Sequence, residues 1–242
     1  MSDLRNLRGV KSADLVTGPY DVIAVVEADK DFLREGLNKY TRKAFRVLPE
    51  LDKPYILDVG CGSGIPTMEL ARLSNGEILG LDIDRIQLDR LTRKIERAGL
   101  SDRIKTVECS IFDMDFPRES FDIIWAEGSI SVIGFKRGIQ QWKRFLKRNG
   151  FMVVHDEKGN ISEKPEQISS CGYELLDYFI LGADTWWVEY YAPLEKRINE
   201  LRTKYANDPK ALAVLDEEQR EIDLFKKNPE HNSSVFFIMQ KR

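Results

Sequence analysis

The alternation of short apolar runs with amphipathic stretches constrains this chain more than any other feature. "YILDV" (55–59), "EILGLD" (77–82), "RIKTVEC" (103–109), "FDIIWA" (121–126) and "FMVVHD" (151–156) read as strands. Between them "PTMELARL" (66–73) reads as a helix with proline in its first turn, and "DRIQLDRLTRKIERAGL" (84–100) as a helix capped near Gly99. "GFKRGIQQWKRFLKRNG" (134–150) places Ile139, Trp142, Phe145 and Leu146 on one helical side. Strand–helix alternation means a parallel sheet covered on both faces, and right-handed crossovers make a doubly wound fold its solution. Upstream, residues 30–47 carry Phe32, Leu33, Leu37, Tyr40, Ala44, Phe45 and Val47 at helical spacing. Downstream, "YELLDYFIL" (173–181) and "SSVFFIMQKR" (233–242) add two strands, with charged helices between them near 193–206 and 208–227. The expected architecture is α/β and Rossmann-like, with a mostly parallel seven-stranded sheet and a helical insertion before the last strand.

A length of 242 residues suits one such domain. The net charge of −3 disfavours a partner whose many phosphates must be neutralised, so nucleic acid is not the expected ligand. Cys61, Cys109 and Cys171 lie far apart without a C-x-x-C, which suits a reducing compartment and offers no metal-ligand spacing. The N-terminal stretch is charged throughout, and no apolar run reaches the length of a membrane span. A soluble, cytoplasmic protein is the expectation; oligomeric state is not readable.

Gly60, Gly62 and Gly64 directly follow the first strand, where open parallel sheets bind ligands. The dinucleotide fingerprint is not met, because Ile65 stands where its third glycine falls, and no Gly-Lys-Ser/Thr follows to make a phosphate loop. Asp58, just before the loop, repels a pyrophosphate and suits an ammonium group. Asp82 ends the neighbouring strand in "GLDID", where a carboxylate accepts hydrogen bonds from both hydroxyls of a ribose. The pair asks for a ligand with an amino-acid end, a ribose and a base. S-adenosylmethionine fits; a nicotinamide cofactor is disfavoured.

"ILDVGCGSG", "GLDID", "FDIIWAEGSISVIGF" and "LKRNGFMVVHD" together resemble the successive motifs of class I S-adenosylmethionine-dependent methyltransferases, over residues 55 to 156. The style is similar to small-molecule methyltransferases of the ubiquinone/menaquinone-biosynthesis type. The resemblance implies Asp58, Gly60 and Gly62 around the methionine moiety, Asp82 on the ribose and Ile83 against the adenine. Where many members carry Gly-Asp-Ala, this chain has "ECSIF", which puts Ser110 at the acidic position beside Ile111, with Asp113 as an alternative. Glu127 falls where the family lines the space around the transferring methyl. The chain then divides into an N-terminal cap (1–50), a cofactor-binding core (51–160) and a helical lid insertion (184–230) within one domain, 1–242.

Glu127 and His155 are the candidate catalytic groups, each with a plain structural alternative: a capping or ion-paired carboxylate, and a hydrogen-bonded histidine under a lid. Tyr20, Trp186, Trp187, Tyr190 and Tyr191 are candidates for shaping an acceptor pocket, or for anchoring the inserted helices. Cys61 is expected to face the sheet. No metal is expected. The functional expectation is methyl transfer from S-adenosylmethionine to a small-molecule acceptor; the alternatives are an RNA or protein acceptor, or cofactor binding without turnover.

Overall fold

In a computed structural model, which describes residues 19–228 and 232–242, the apolar runs form the centre of one sheet. The strands are β1 (Tyr55–Val59), β2 (Glu77–Asp82), β3 (Ile104–Glu108), β4 (Phe121–Glu127), β5 (Leu146–Glu157), β6 (Tyr173–Leu181) and β7 (Ser234–Lys241). Their order is β3-β2-β1-β4-β5-β7-β6. Strands β1 to β5 are mutually parallel, and β7 runs antiparallel between β5 and β6. The chain order reverses at β1/β4, so the ligand crevice of an open sheet lies beyond the carboxyl ends of those two strands. This is the doubly wound, mostly parallel architecture expected above.

Alternation along each strand builds two cores. Ile56, Ile123 and Trp125 face one side with Leu70, Leu91 and Ile95 from α2 (Ile65–Leu73) and α3 (Arg85–Arg97). Leu57 and Ile124 face the other, against Ile139 and Trp142 of α4 (Phe135–Trp142) and Ile168 of α5 (Lys164–Ser170). A third cluster lies outside the sheet. It joins Val22 and Val26 of α1 (Pro19–Phe45) to a helical run between β6 and β7. That run comprises α6 (Ala183–Trp186), a π-helical stretch (Trp187–Tyr191), α7 (Ala192–Lys204) and α8 (Pro209–Lys227).

Two expectations need correction. The helix read over 134–150 ends at Trp142; Lys143–Phe145 form a 3-10 turn, and Leu146 already opens β5. Leu146 pairs with Phe121, and Phe145 lies edge-on to Phe116 at 5.6 Å, so tertiary pairing overrides the helix propensity of "KRFLKR". The helix read over 30–47 begins at Pro19, and Phe32, counted on its buried side, is 74% exposed.

Candidate functional site

The glycine loop leaves β1 in left-handed backbone, with φ of 72°, 52° and 82° at Gly60, Gly62 and Gly64. Gly64 and Gly62 need the missing side chain for different reasons. A Cβ on Gly64 would lie 2.2 Å from Leu91 Cδ1, and Leu91 is fully buried among core neighbours that leave it nowhere to turn. A Cβ on Gly62 would meet nothing within 4 Å, because this glycine faces an open space. Gly64→Ala is therefore expected to cost about 2–5 kcal/mol from backbone strain plus overpacking. In a thermal melt that is a fall of roughly 5–15 °C. Gly62→Ala carries the backbone strain alone, about 1–2 kcal/mol, so it should melt roughly 2–8 °C below the parent and lose ligand affinity besides. Equal melts for the two variants would contradict this division of roles.

The open space is a cavity of about 510 Å³ at the carboxyl ends of β1, β4 and β5. Four carboxyl groups line it from the sheet, Asp58, Glu127, Asp156 and Glu157, of which Asp156 is paired with Lys164. Asp58 is buried and accepts a hydrogen bond from Thr67 Oγ1 at 2.6 Å. Glu127 Oε1 accepts from Trp125 Nε1 at 2.7 Å and from Thr41 Oγ1 at 2.9 Å. Burial pushes both carboxyls up to about 7, and their negative charges oppose ionisation further, Asp82 acting on Asp58 and Asp58 on Glu127. A site that disfavours its own anions in this way is matched to a cationic ligand. Sequence reading found both residues but not the environment that raises them.

The wall beside Glu127 is aromatic. His155 pairs with Glu127 across β4 and β5, stacks on Phe236 at 4.1 Å, and shares Ser234 Oγ with Trp186, whose Nε1 donates at 2.9 Å. Burial pulls the imidazole down to about 3, so it stays neutral at physiological pH. Trp186, Tyr190 and Tyr191 line the same cavity, with Trp186 edge-on to Tyr190. Trp187 does not line it: this ring stacks on Phe225 and anchors the inserted helices. Tyr20 starts α1, and its side chain lies outside the described residues. Cys61 is buried with its sulfur toward Gly80 of β2, as expected.

The remaining predicted residues form a separate, open flank. Asp82 lies at the end of β2, where Oδ2 accepts from Gly62 N at 2.8 Å and Oδ1 from Asp84 N at 2.9 Å. Ile83 is 70% exposed, and Phe112 is exposed on the loop after β3. Ser110 Oγ accepts from Phe112 N, while Ile111 packs against the core. The loop is thus the seam between a partly open cavity and an exposed apolar shelf beside Asp82.

Sequence reading named a cap over residues 1–50 and a lid, but not the polar side chains of α1. Helix α1 presents Asp31, Arg34, Asn38 and Thr41, a polar stripe at helical spacing. Asp31 receives Ser63 Oγ at 2.6 Å, Arg90 at 2.7 Å and Lys94 at 2.9 Å, and Arg90 also grips Glu27. These bonds fasten α1 to the glycine loop and to α3. At its other end Tyr40 and Lys39 both bond Glu189 in the π-helical stretch. The spacing of the stripe was visible in the sequence, but it was overshadowed by the apolar positions around it.

Comparisons with known proteins agree with this geometry. Residues 56–150 match the model of a methyltransferase domain family. Sterol 24-C-methyltransferase ERG6B of Gibberella zeae is 33% identical over 102 residues, which are 42% of this chain and 27% of that protein. The 27-O-demethylrifamycin SV methyltransferase of Amycolatopsis mediterranei is 26% identical over 125 residues, 51% of this chain and 46% of that protein. The chain thus spans between about a quarter and a half of the length of these relatives. In structure, the S-adenosyl-L-homocysteine complex of a methyltransferase from Geobacter sulfurreducens superposes with a TM-score of 0.66 at 17% identity, over 84% of this chain and 91% of that one. The glycine loop and strands β1 to β4, Tyr55 apart, fall within the stretch that matches a methyltransferase domain, and the sheet order is that of a fold similar to solved S-adenosylmethionine-dependent methyltransferases.

Proposed function

We propose that the protein transfers the methyl group of S-adenosylmethionine to a small-molecule acceptor. One observation carries this reading: the glycine loop and the Asp58–Glu127 pair open into a roofed aromatic cavity of about 510 Å³. Such a volume accommodates the methionine end of the donor and a compact acceptor. A folded protein or an RNA duplex does not enter it. The named substrates of the sterol and rifamycin relatives are small molecules too.

The residues present fit the donor. Gly62 leaves bare backbone facing the cavity, Asp82 keeps free lone pairs for a ribose diol, and Asp58 and Glu127 offer negative charge to an ammonium and a sulfonium. Ile83 and Phe112 form the shelf for an adenine, with Ser110 and Ile111 below it. When bound, S-adenosylmethionine supplies an electrophilic methyl on a positively charged sulfur. An acceptor's lone pair would take that methyl, the electron pair of the broken carbon–sulfur bond staying on sulfur, in the space lined by Asp58 and Glu127.

The protein's work is positioning: holding the two partners in line is worth about 7–11 kcal/mol of barrier. Roofing by α1 and by α6 to α8 excludes water. Glu127, with a carboxyl near 7, is the group suited to take a proton from a protonated acceptor. His155, neutral and held by Ser234, serves as a hydrogen-bonding wall. The helices between Ala183 and Lys227 act as the lid, and α1 as the cap.

The test is calorimetric titration with S-adenosylmethionine and S-adenosylhomocysteine, followed by incubation of methyl-labelled donor with a panel of small acids, phenols and amines. Saturable binding and label transfer to at least one compound are expected. A folded protein that binds neither ligand would refute the reading.

A further inference from the structure

Two polar side chains of the roof have no place in the account above. Arg34 and Asn38 stand one helical turn apart on α1, and both line the cavity. Arg34 is the only lysine or arginine among the described lining residues, in a cavity also lined by Asp58, Glu127, Asp156, Glu157 and Glu221. Its guanidinium lies 5.8 Å from the centre of the Tyr190 ring, yet no carboxylate among the described residues comes within ion-pair distance of it. Other charges nearby are engaged: Asp31 with Arg90 and Lys94, Lys30 with Glu218, Asp156 with Lys164. Asn38 is 4% exposed, and its amide has no hydrogen-bond partner among the described residues. Buried polar groups are normally paired. Here a buried amide without a partner and the exposed fork of N–H donors of Arg34 border one space.

We propose that Arg34 and Asn38 form a carboxylate-binding subsite in the roof of the cavity. The guanidinium takes the two oxygens side by side, and the Asn38 amide donates to one of them. This deepens the methyl-transfer reading and rests on it. It completes the match to a ligand whose cationic groups face Asp58 and Glu127, because one arginine in a cavity otherwise lined by carboxyls selects a molecule of mixed charge. Two molecules in the cavity can supply the carboxylate, the amino-acid end of the donor or an acidic acceptor.

The experiment titrates the whole protein with S-adenosylhomocysteine, with its decarboxylated analogue S-adenosyl-3-thiopropylamine, and with phenylacetate in the presence and absence of S-adenosylhomocysteine. If the donor supplies the carboxylate, the parent binds S-adenosylhomocysteine at least tenfold tighter than the analogue. Arg34→Gln then erases that difference while holding the analogue's affinity within threefold. If the acceptor supplies it, Arg34→Gln leaves S-adenosylhomocysteine unchanged and abolishes phenylacetate binding. Arg34→Lys, which keeps the charge without the fork, and Asn38→Leu should each give part of whichever loss is seen, and they decide the matter if Arg34→Gln does not fold. Equal affinity for S-adenosylhomocysteine and the analogue, with no phenylacetate bound, overturns the subsite. So do variants that bind all three probes as the parent does. Failure of the parent to bind either adenosyl compound would instead refute the methyl-transfer reading, and phenylacetate alone would then judge the subsite.

Discussion

Asp82→Ala is expected to weaken binding of S-adenosylhomocysteine by at least ~100-fold while the protein stays folded. Each carboxylate oxygen already accepts one backbone N–H, from Gly62 and from Asp84. Each keeps a second lone pair, and together these meet the two hydroxyls of a ribose. Hydrogen bonds to a charged acceptor contribute about 1.5–3 kcal/mol apiece, so losing two of them removes about 3–6 kcal/mol. The substitution also frees the Gly62 amide, and the loop loses the tie that aims its bare backbone into the cavity. Asp82→Asn retains one acceptor oxygen and should fall between the two. Calorimetry checks the affinities, and a melt checks the fold. Unchanged affinity in a folded Asp82→Ala protein would place the ribose elsewhere.

The second large effect is on pH. In the free protein Asp58 and Glu127 are held up to about 7, so each is substantially protonated below that value. A bound cation favours the ionised forms and lowers both values, so binding releases protons. Affinity for S-adenosylmethionine should therefore climb about tenfold or more between pH 5.5 and 8 and level off above the free-protein values. S-adenosylhomocysteine carries the ammonium but no charge on sulfur, so its affinity should rise less steeply. Glu127→Gln should bring the two slopes together.

Stability of the unliganded protein runs the other way. Both groups bind their protons more tightly folded than unfolded, so their contribution is full below the ordinary carboxyl range. It is lost as pH rises from that range through about 7. A donor affinity independent of pH across this window would show that no cation sits between these carboxyls.

The sheet was legible because buried parallel strands leave continuous apolar runs: the bounds read for "YILDV", "EILGLD" and "YELLDYFIL" coincide with β1, β2 and β6. The glycine loop and Asp82 were legible because steric and hydrogen-bonding demands restrict the residue types there. The start of β5 was not, since Phe145 and Leu146 are buried whether the backbone is helical or extended, and only pairing with Phe121 decides. Nor were Arg34, Asn38 and Thr41, which fall between the apolar positions of an amphipathic helix, where side chains ordinarily meet solvent. A polar stripe facing water and one facing a ligand cavity have the same spacing. Their difference resides in what the chain brings opposite them some 150 residues later, Glu189, Tyr190 and Tyr191.

The third hydrophobic cluster has a further consequence for how the molecule moves. Its members come from α1 and from the helices between β6 and β7, with no strand residue among them. Trp186 is the partly buried side chain that touches both this cluster and the sheet's own core. Cooperative units with separate interiors open separately. Helix α1 belongs to both interiors, since Ala44 and Phe45 lie in the sheet's core. The helices between β6 and β7 are therefore the part expected to swing on Trp186 and admit a guest, while the strands that carry Asp58 and Glu127 keep their ladder bonds. Access and integrity are thereby assigned to different interiors.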